Sequence, residues 1–188
     1  MALHVETRKL TVAEFHRMEF DDNDTHLYEL LDGELVKKEA STPEHQLLVR
    51  DLAFAMHSFA KQQPLDEVIF APVDVFLDEY NSPQPDLVYV DKTKADLITN
   101  DGIVGVPTLV VEVISPSPVY RDRVTKKALY ERFGVQAYWL VDPADEYVEI
   151  FTLVEGQCQL LSAASLEEGQ LTSNVLTSLP LELKNLFA

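Results

Sequence analysis

Two carboxylates inside short apolar runs are the residues of this sequence best suited to chemistry. Asp86 opens the run 87–90, and Glu112 lies within the run 109–114. Short runs rich in Val, Leu and Ile predict buried strands. A buried ionised carboxylate needs compensation, and two of them about 4 Å apart repel by roughly 4 kcal/mol at an effective dielectric near 20. A divalent cation between them would remove both costs, so the pair predicts a metal site.

A lysine follows these acids on a predicted helix. The spacing of Asp122, Lys126 and Tyr130 is i, i+4, i+8, which places them on one face of a helix over about 120–133. Lys126 could reach over the end of the Glu112 strand, where an ammonium can orient a water or stabilise charge on a phosphate. The same spacing also fits a solvated helix with an Asp122–Lys126 ion pair. By itself, this trio leaves both interpretations open.

Local signals predict the elements that must position these groups. Asp32-Gly33 predicts a two-residue hairpin turn, and Thr42 before Pro43 predicts the start of a helix that runs to about Gln62. On the later helix, the residues expected to face the sheet are Val124, Ala128 and Leu129. The predicted strands are 26–31, 34–38, 68–70, 73–77, 87–90, 109–114, 137–141, 148–154 and 159–162. This order predicts an α/β protein with a mixed sheet and packed helices.

Composition predicts one soluble domain over 1–188. Hydrophobic residues make up 46% of the chain and charged residues 25%, as in ordinary globular proteins. The single cysteine, Cys158, excludes an internal disulfide and a multi-cysteine zinc site, and fits a reducing cytoplasm. No run of 18 apolar residues occurs, so no membrane span or signal peptide is expected.

The net charge is strongly acidic. It is −17, from 15 basic and 32 acidic residues. This counts against a general nucleic-acid binder, because phosphate contacts supply most non-specific affinity. It leaves room for a local basic patch, and a bound metal ion reverses the sign at the site itself.

Taken together, the motifs resemble those of the Uma family, whose members are classed as endonucleases within the PD-(D/E)xK superfamily. The match covers about 28–143, over half of the chain, and rests on the order and number of its pieces. The pieces are Tyr28-Glu29-Leu30-Leu31-Asp32-Gly33-Glu34, Pro43-Glu44-His45-Gln46, Gln84-Pro85-Asp86, Val111-Glu112-Val113-Ile114-Ser115-Pro116-Ser117, the Asp122, Lys126 and Tyr130 trio, Gly134-Val135, and Tyr138-Trp139-Leu140-Val141-Asp142-Pro143.

This resemblance implies a restriction-endonuclease-like core, with a mixed central sheet flanked by helices and extra antiparallel strands. It implies a metal-dependent nuclease acting on DNA. Asp86 and Glu112 would bind Mg²⁺ or Mn²⁺, with the Val113 carbonyl as a further ligand, and Lys126 would position the attacking water. The superfamily's usual lysine lies two residues after the second acid, where this chain has Ile114, so Lys126 must replace it.

Four residues are accessory candidates, and one of them is Asp122, on the helix face of Lys126. His45 near a helix start could bind phosphate or transfer a proton, although a capping residue on the surface is the more common case. Glu34 after the hairpin turn could be a further metal ligand or an exposed strand residue. Tyr130 could add a hydroxyl to the site or be a buried tyrosine with a satisfied hydroxyl.

Two other functions compete with the nuclease. One is a nuclease-like fold without activity that serves as a binding or regulatory module, which Ile114 and the acidic charge favour. The other is a glycoside hydrolase that uses Asp86 and Glu112 as acid and base, for which the strand context fits poorly. By analogy with nucleases that cut two strands, a homodimer is expected.

Overall fold

The computed structural model of the chain describes residues 8–21, 23–62, 66–115, 120–167, 171–179 and 181–187. Its helices are α1 (Val12–Phe15), α2 (Pro43–Ala60), α3 (Lys127–Phe133) and α4 (Leu183–Leu186), together with a 3-10 helix at Lys92–Leu97 and a π-helix at Arg121–Lys126. Its strands are β1 (Tyr28–Leu31), β2 (Glu34–Lys37), β3 (Glu67–Phe70), β4 (Val75–Phe76), β5 (Leu87–Val90), β6 (Ile103–Val104), β7 (Leu109–Val113), β8 (Ala137–Asp142), β9 (Tyr147–Val154) and β10 (Gln157–Ser165).

Six strands form a central sheet in the order β10-β9-β8-β7-β5-β3. Strands β7 and β8 are parallel, and every other neighbouring pair in this sheet is antiparallel. A parallel pair needs a crossover connection, which here contains the π-helix and α3. The mixed sheet and its flanking helices confirm the predicted α/β class.

Helices pack on both faces of this sheet. Leu52 and Met56 of α2 are fully buried in one core with Trp139 of β8. Tyr130 of α3 packs with Tyr138 in a second core. Because Tyr138 and Trp139 are adjacent in β8, they point to opposite faces. The inner strands are therefore covered on both sides, which explains their continuous apolar runs.

The β1–β2 hairpin forms as the sequence predicts. Asp32 and Gly33 have φ values of 51° and 79°, the left-handed conformations that a two-residue turn of this kind needs. Leu30 and Ser82 exchange two backbone hydrogen bonds, of 3.1 and 2.8 Å. These bonds fix the hairpin against the segment leading into β5, so Glu29 lies beside the start of that strand.

Helix α2 also follows its sequence signals. The Thr42 side chain accepts a hydrogen bond of 3.2 Å from the His45 backbone N–H, the arrangement of an N-cap. Pro43 occupies the first turn, and the helix ends at Ala60, close to the predicted Gln62. His45 is thereby held in the first turn of the helix.

The helix after β7 differs from its prediction in two ways. It begins as a π-helix and continues as α3 to Gly134, whose φ of 82° ends it. Leu129 is buried as expected, but Val124 and Ala128 are exposed. The prediction for these two residues was wrong because the helix face that meets the sheet is the one that carries Lys126. Val124 and Ala128 each stand two residues from Lys126, and residues at that spacing do not share a helix face.

The helices can be compared with the length and apolar character that a membrane-spanning helix needs. Among the described residues, none of the helices combines the length and the apolar character of a membrane span. The longest, α2, carries Arg50 and Asp51 near its middle.

Candidate active site

Asp86 and Glu112 line one cleft. Leu87 of β5 pairs with Val111 of antiparallel β7, so one further step of the ladder places Asp86 opposite Glu112. Residues opposite each other in an antiparallel pair project from the same face. Both acids are buried, with 7% and 2% of their surfaces exposed. The register therefore brings together the two carboxylates that the sequence pairs.

Asp86 is held by one of its two oxygens. Its Oδ2 accepts a hydrogen bond of 2.8 Å from the Val113 N–H and lies 3.2 Å from Nε2 of His45. Burial would raise the pKa of Asp86, but the hydrogen bond from His45, the charge of Lys38 and the Val113 N–H together lower it. The carboxylate is therefore ionised, and its Oδ1 makes no hydrogen bond to the described residues.

Glu112 is held in a similar way. Its Oε1 accepts hydrogen bonds from Nζ of Lys126 at 3.0 Å and from the hydroxyl of Tyr130 at 2.9 Å. Burial raises the pKa of Glu112 to about 8, although the charge of Lys126 opposes this shift. Its Oε2 makes no hydrogen bond within the described part of the chain, so each predicted ligand keeps one oxygen available.

Lys126 is a buried cation surrounded by acids. Its Nζ lies 3.0 Å from Glu112, 3.1 Å from Glu29 and 3.8 Å from Asp122. Burial would lower the pKa of Lys126, but these carboxylates, Glu112 foremost, raise it, so the side chain is an ammonium. The residue ends the π-helix, a rare conformation that is frequent at functional sites.

Glu29 is the site residue that the sequence reasoning missed. It is 1% exposed, and its Oε2 accepts a hydrogen bond of 3.2 Å from the Gln84 N–H and lies 3.1 Å from Nζ of Lys126. Its Oε1 is buried without a hydrogen-bond partner in the described part of the protein. The signal was present, because Glu29 stands in an apolar strand just as Glu112 does.

The accessory candidates divide between the cleft and the surface. His45 is buried, and its Nε2 is shared between Asp86 and the Val113 carbonyl, which lies 3.1 Å away. Because both neighbours are acceptors, this nitrogen carries the proton. Asp122 lines the cleft, whereas Glu34 is exposed and outside it. Glu34 pairs with Leu31, two residues nearer the turn than Glu29 and roughly 7 Å away along the strand, so the structure places Glu29, and not Glu34, in the cleft.

The cleft is small and polar. Its volume is about 40 Å³, and Lys38, Glu39, Ser41 and Arg121 complete its wall. Five carboxylates, those of Glu29, Glu39, Asp86, Glu112 and Asp122, therefore face two lysines and one arginine. Nζ of Lys38 donates to the Gln84 carbonyl at 2.6 Å, so this half-buried cation is fixed beside Asp86.

A family model matches residues 12–184, which include every residue of this cleft, and its description is "Uma2: Putative restriction endonuclease". This chain belongs to the Uma2 family. The resemblance read from the motifs is thereby confirmed.

A solved structure shares the fold of this chain. A crystal structure described as a putative nuclease belonging to DUF820, from Anabaena variabilis ATCC 29413, superposes with a TM-score of 0.75. The two sequences are 17% identical, and the match covers 95% of this chain and 97% of that one. At this identity the likeness shows the fold. Among curated proteins, none matches the sequence.

The donor set of this Uma2 protein fits a hard divalent cation. Within the described residues, no three His, Cys, Asp or Glu side chains are grouped as metal ligands. Mg²⁺, however, is commonly held by one or two carboxylates while water and substrate oxygens complete its shell. The cleft contains more carboxylates than cations, which favours the binding of additional positive charge. The oxygens of Asp86 and Glu112 that make no hydrogen bond to the described residues, and the buried Oε1 of Glu29, favour it further.

Proposed function

We propose that this protein is a divalent-metal-dependent nuclease that hydrolyses phosphodiester bonds of DNA. One observation carries the proposal: an ammonium, that of Lys126, lies 3.0 Å from Glu112 in a cleft that also contains Asp86. Two carboxylates can hold the metal ion for phosphodiester hydrolysis, and a neighbouring amine can stabilise the charge that develops on the phosphate. Membership of the Uma2 family supports a nucleic-acid substrate.

Asp86, Glu112 and the Val113 carbonyl would hold the metal ion, with Mg²⁺ or Mn²⁺ as the ions of suitable hardness. When bound, such an ion polarises a phosphodiester and lowers the pKa of a coordinated water. The bond from His45 to Asp86 would orient the carboxylate, as outer partners of metal ligands commonly do.

Lys126 would position the attacking water or stabilise charge on the phosphate. Glu29 and Tyr130 have supporting roles: Glu29 holds the ammonium from a second side, and Tyr130 fixes the Glu112 oxygen that the ammonium contacts. Neither needs to touch the substrate to do this.

The position of Lys126 follows from the packing around Ile114. Ile114 is 4% exposed and belongs to the apolar core that also contains Tyr130. A lysine there, two residues after Glu112, would have to bury its charge among apolar side chains. The neighbouring helix instead brings its ammonium over the end of the strand.

A binding or regulatory module without activity is the second candidate. The small cleft and the pairing of Lys126 with two glutamates favour it, because an ammonium held between carboxylates is not free to act on a water. The acidic charge of the chain points the same way.

Incubation with double-stranded plasmid DNA and with single-stranded circular DNA, each in the presence of Mn²⁺, separates these two functions. A nuclease should cleave at least one of the two substrates, and Lys126→Met should reduce that cleavage strongly, whereas Lys127→Met should not. Lys127 is a suitable control because its Nζ lies over the Phe151 ring, 4.0 Å from the centroid. Equal, negligible cleavage by all three proteins would overturn the nuclease and favour the binding module.

We also propose that the protein acts as a homodimer in the cytoplasm. The dimer rests on the frequency of twofold symmetry among oligomers. The reducing compartment rests on the free Cys158. Light scattering during gel filtration tests the dimer, and a molar mass near that of one chain would contradict it.

A further inference from the structure

A second cavity continues from the candidate active site. It has a volume of about 280 Å³ and shares Lys38, Glu39, Ser41 and Asp86 with the catalytic cleft. We call it the flanking groove. Because the shared residues include the first predicted metal ligand, a molecule bound at Asp86 would extend directly into it.

The flanking groove presents apolar side chains to solvent. Phe70 is 64% exposed and Leu27 is 48% exposed, and both line it together with Pro72. Single exposed apolar residues are common, but these share one groove beside a charged site. Such a groove is typical of a ligand-binding surface.

The backbone fixes Phe70 next to the catalytic acids. Phe70 ends the edge strand β3 and pairs with Leu87, the residue after Asp86. The N–H of Ala71 donates to the Asp86 carbonyl at 3.0 Å. The backbone position of Phe70 beside Asp86 is therefore set by the sheet. Its ring lies on the face of Leu87, and it shares the groove with Asp86 where the two strands end.

The charge of the protein limits what the groove can bind. A net charge of −17 disfavours a polyanion over most of the surface, so phosphate contacts are confined to the cations of the cleft. Stacking of a base on an aromatic ring does not depend on the net charge and contributes about 1–3 kcal/mol per base. Lys38, at the junction of cleft and groove, is the cation best placed for the intervening phosphate.

We propose that the flanking groove binds an unpaired base of the nucleotide next to the scissile phosphodiester, stacked on Phe70. In a duplex the faces of each base are covered by its neighbours, so a base can lie on Phe70 only where the strand is single or locally opened. The substrate class that follows is single-stranded DNA. This inference rests on the proposed nuclease function.

Binding of a short fluorescein-labelled oligothymidylate, measured by fluorescence anisotropy with Ca²⁺ in place of Mn²⁺, tests the subsite. Phe70→Ala should weaken this binding by about 5- to 150-fold, the equivalent of one stacked base. Phe70→Trp should retain it. Phe54→Ala is the matched control, because Phe54 is 74% exposed on α2 and lines a different cavity.

An oligonucleotide of abasic deoxyribose units distinguishes binding through the bases from binding through the phosphates. It keeps the phosphates but removes the bases, so wild type and Phe70→Ala should bind it equally weakly. Since Phe70 is mostly exposed, the variant should fold normally, which circular dichroism and the melting temperature will verify.

The outcomes distinguish this inference from the proposed function. Binding that depends on Phe70, without DNA cleavage in Mn²⁺, would support the subsite and overturn the nuclease. Cleavage that is unchanged in Phe70→Ala, with unchanged oligothymidylate binding, would overturn the subsite and leave the nuclease standing. If wild type does not bind the oligothymidylate, the subsite is also overturned.

Discussion

The ammonium of Lys126 lies 3.0 Å from the carboxylate of Glu112, although the two side chains start from different elements, a π-helix and a buried strand. Both are almost completely buried. Removing this ammonium would also leave the carboxylates of Glu29 and Asp122 without their cation, and breaking a buried charge pair destabilises a protein by about 3–5 kcal/mol. The pair is therefore important for stability as well as for the proposed chemistry.

Lys126→Met should lower the rate of DNA cleavage by about 10²- to 10³-fold, the usual effect of losing one electrostatic stabiliser. Its Mn²⁺ affinity should not fall, because a cation next to the carboxylates is removed. Cleavage assays and calorimetric Mn²⁺ titration measure the two effects. Loss of Mn²⁺ binding together with cleavage would mean that Lys126 supports the metal site rather than the chemistry.

Asp86→Asn should abolish Mn²⁺ binding because the substitution removes a charged ligand. The local structure should persist, since the amide oxygen of asparagine can still accept the hydrogen bond from the Val113 N–H. Glu34→Gln removes an equal charge from an exposed site outside the cleft and should bind as wild type does. Isothermal titration calorimetry compares the three proteins. An unchanged titration of Asp86→Asn would exclude Asp86 as a ligand.

Glu29→Gln should reduce cleavage about tenfold while Mn²⁺ binding persists. The amide can still accept from the Gln84 N–H, but it no longer fixes the ammonium of Lys126 by charge. The cleavage rate should therefore fall while the Mn²⁺ affinity, measured by titration, stays unchanged. If Mn²⁺ affinity falls as far as in Asp86→Asn, then Glu29 is a metal ligand instead of a positioning residue.

Stability without divalent cations should fall with rising pH because of Glu112. Burial raises its pKa from 4.5 to about 8, so the folded protein holds this proton more tightly than the unfolded chain does. The contribution is complete below about pH 4.5 and is lost as the pH rises through about 8.

Glu112→Gln, which stays neutral, should therefore lose less stability than wild type between about pH 5 and pH 8.5. Melting temperatures in the presence of a chelator measure this difference. Parallel curves for the two proteins would contradict the raised pKa. Added Mn²⁺ should stabilise wild type at the alkaline end, since a cation favours the ionised carboxyl.

The local elements could be predicted because their signals act between near neighbours in the chain. Asp32-Gly33 forms its turn and Thr42 caps its helix through contacts within a few residues. Lys126 and Tyr130 share a face because of helical periodicity. The π-helix could not be foreseen, since no local signal in the segment distinguishes it from an α-helix.

The sequence by itself determined that one acid lies in a buried strand, that another directly precedes a buried strand, and that a lysine follows on a helix. Burial and helical periodicity depend on the order of apolar and polar residues, which the sequence contains. Only the tertiary structure decided that Glu29 rather than Glu34 joins them and that His45 reaches Asp86. It also decided that Phe70 lies next to the cleft. These contacts depend on the register of the hairpin against residue Ser82 and of β3 against β5. Register is a relation between distant segments that packing selects.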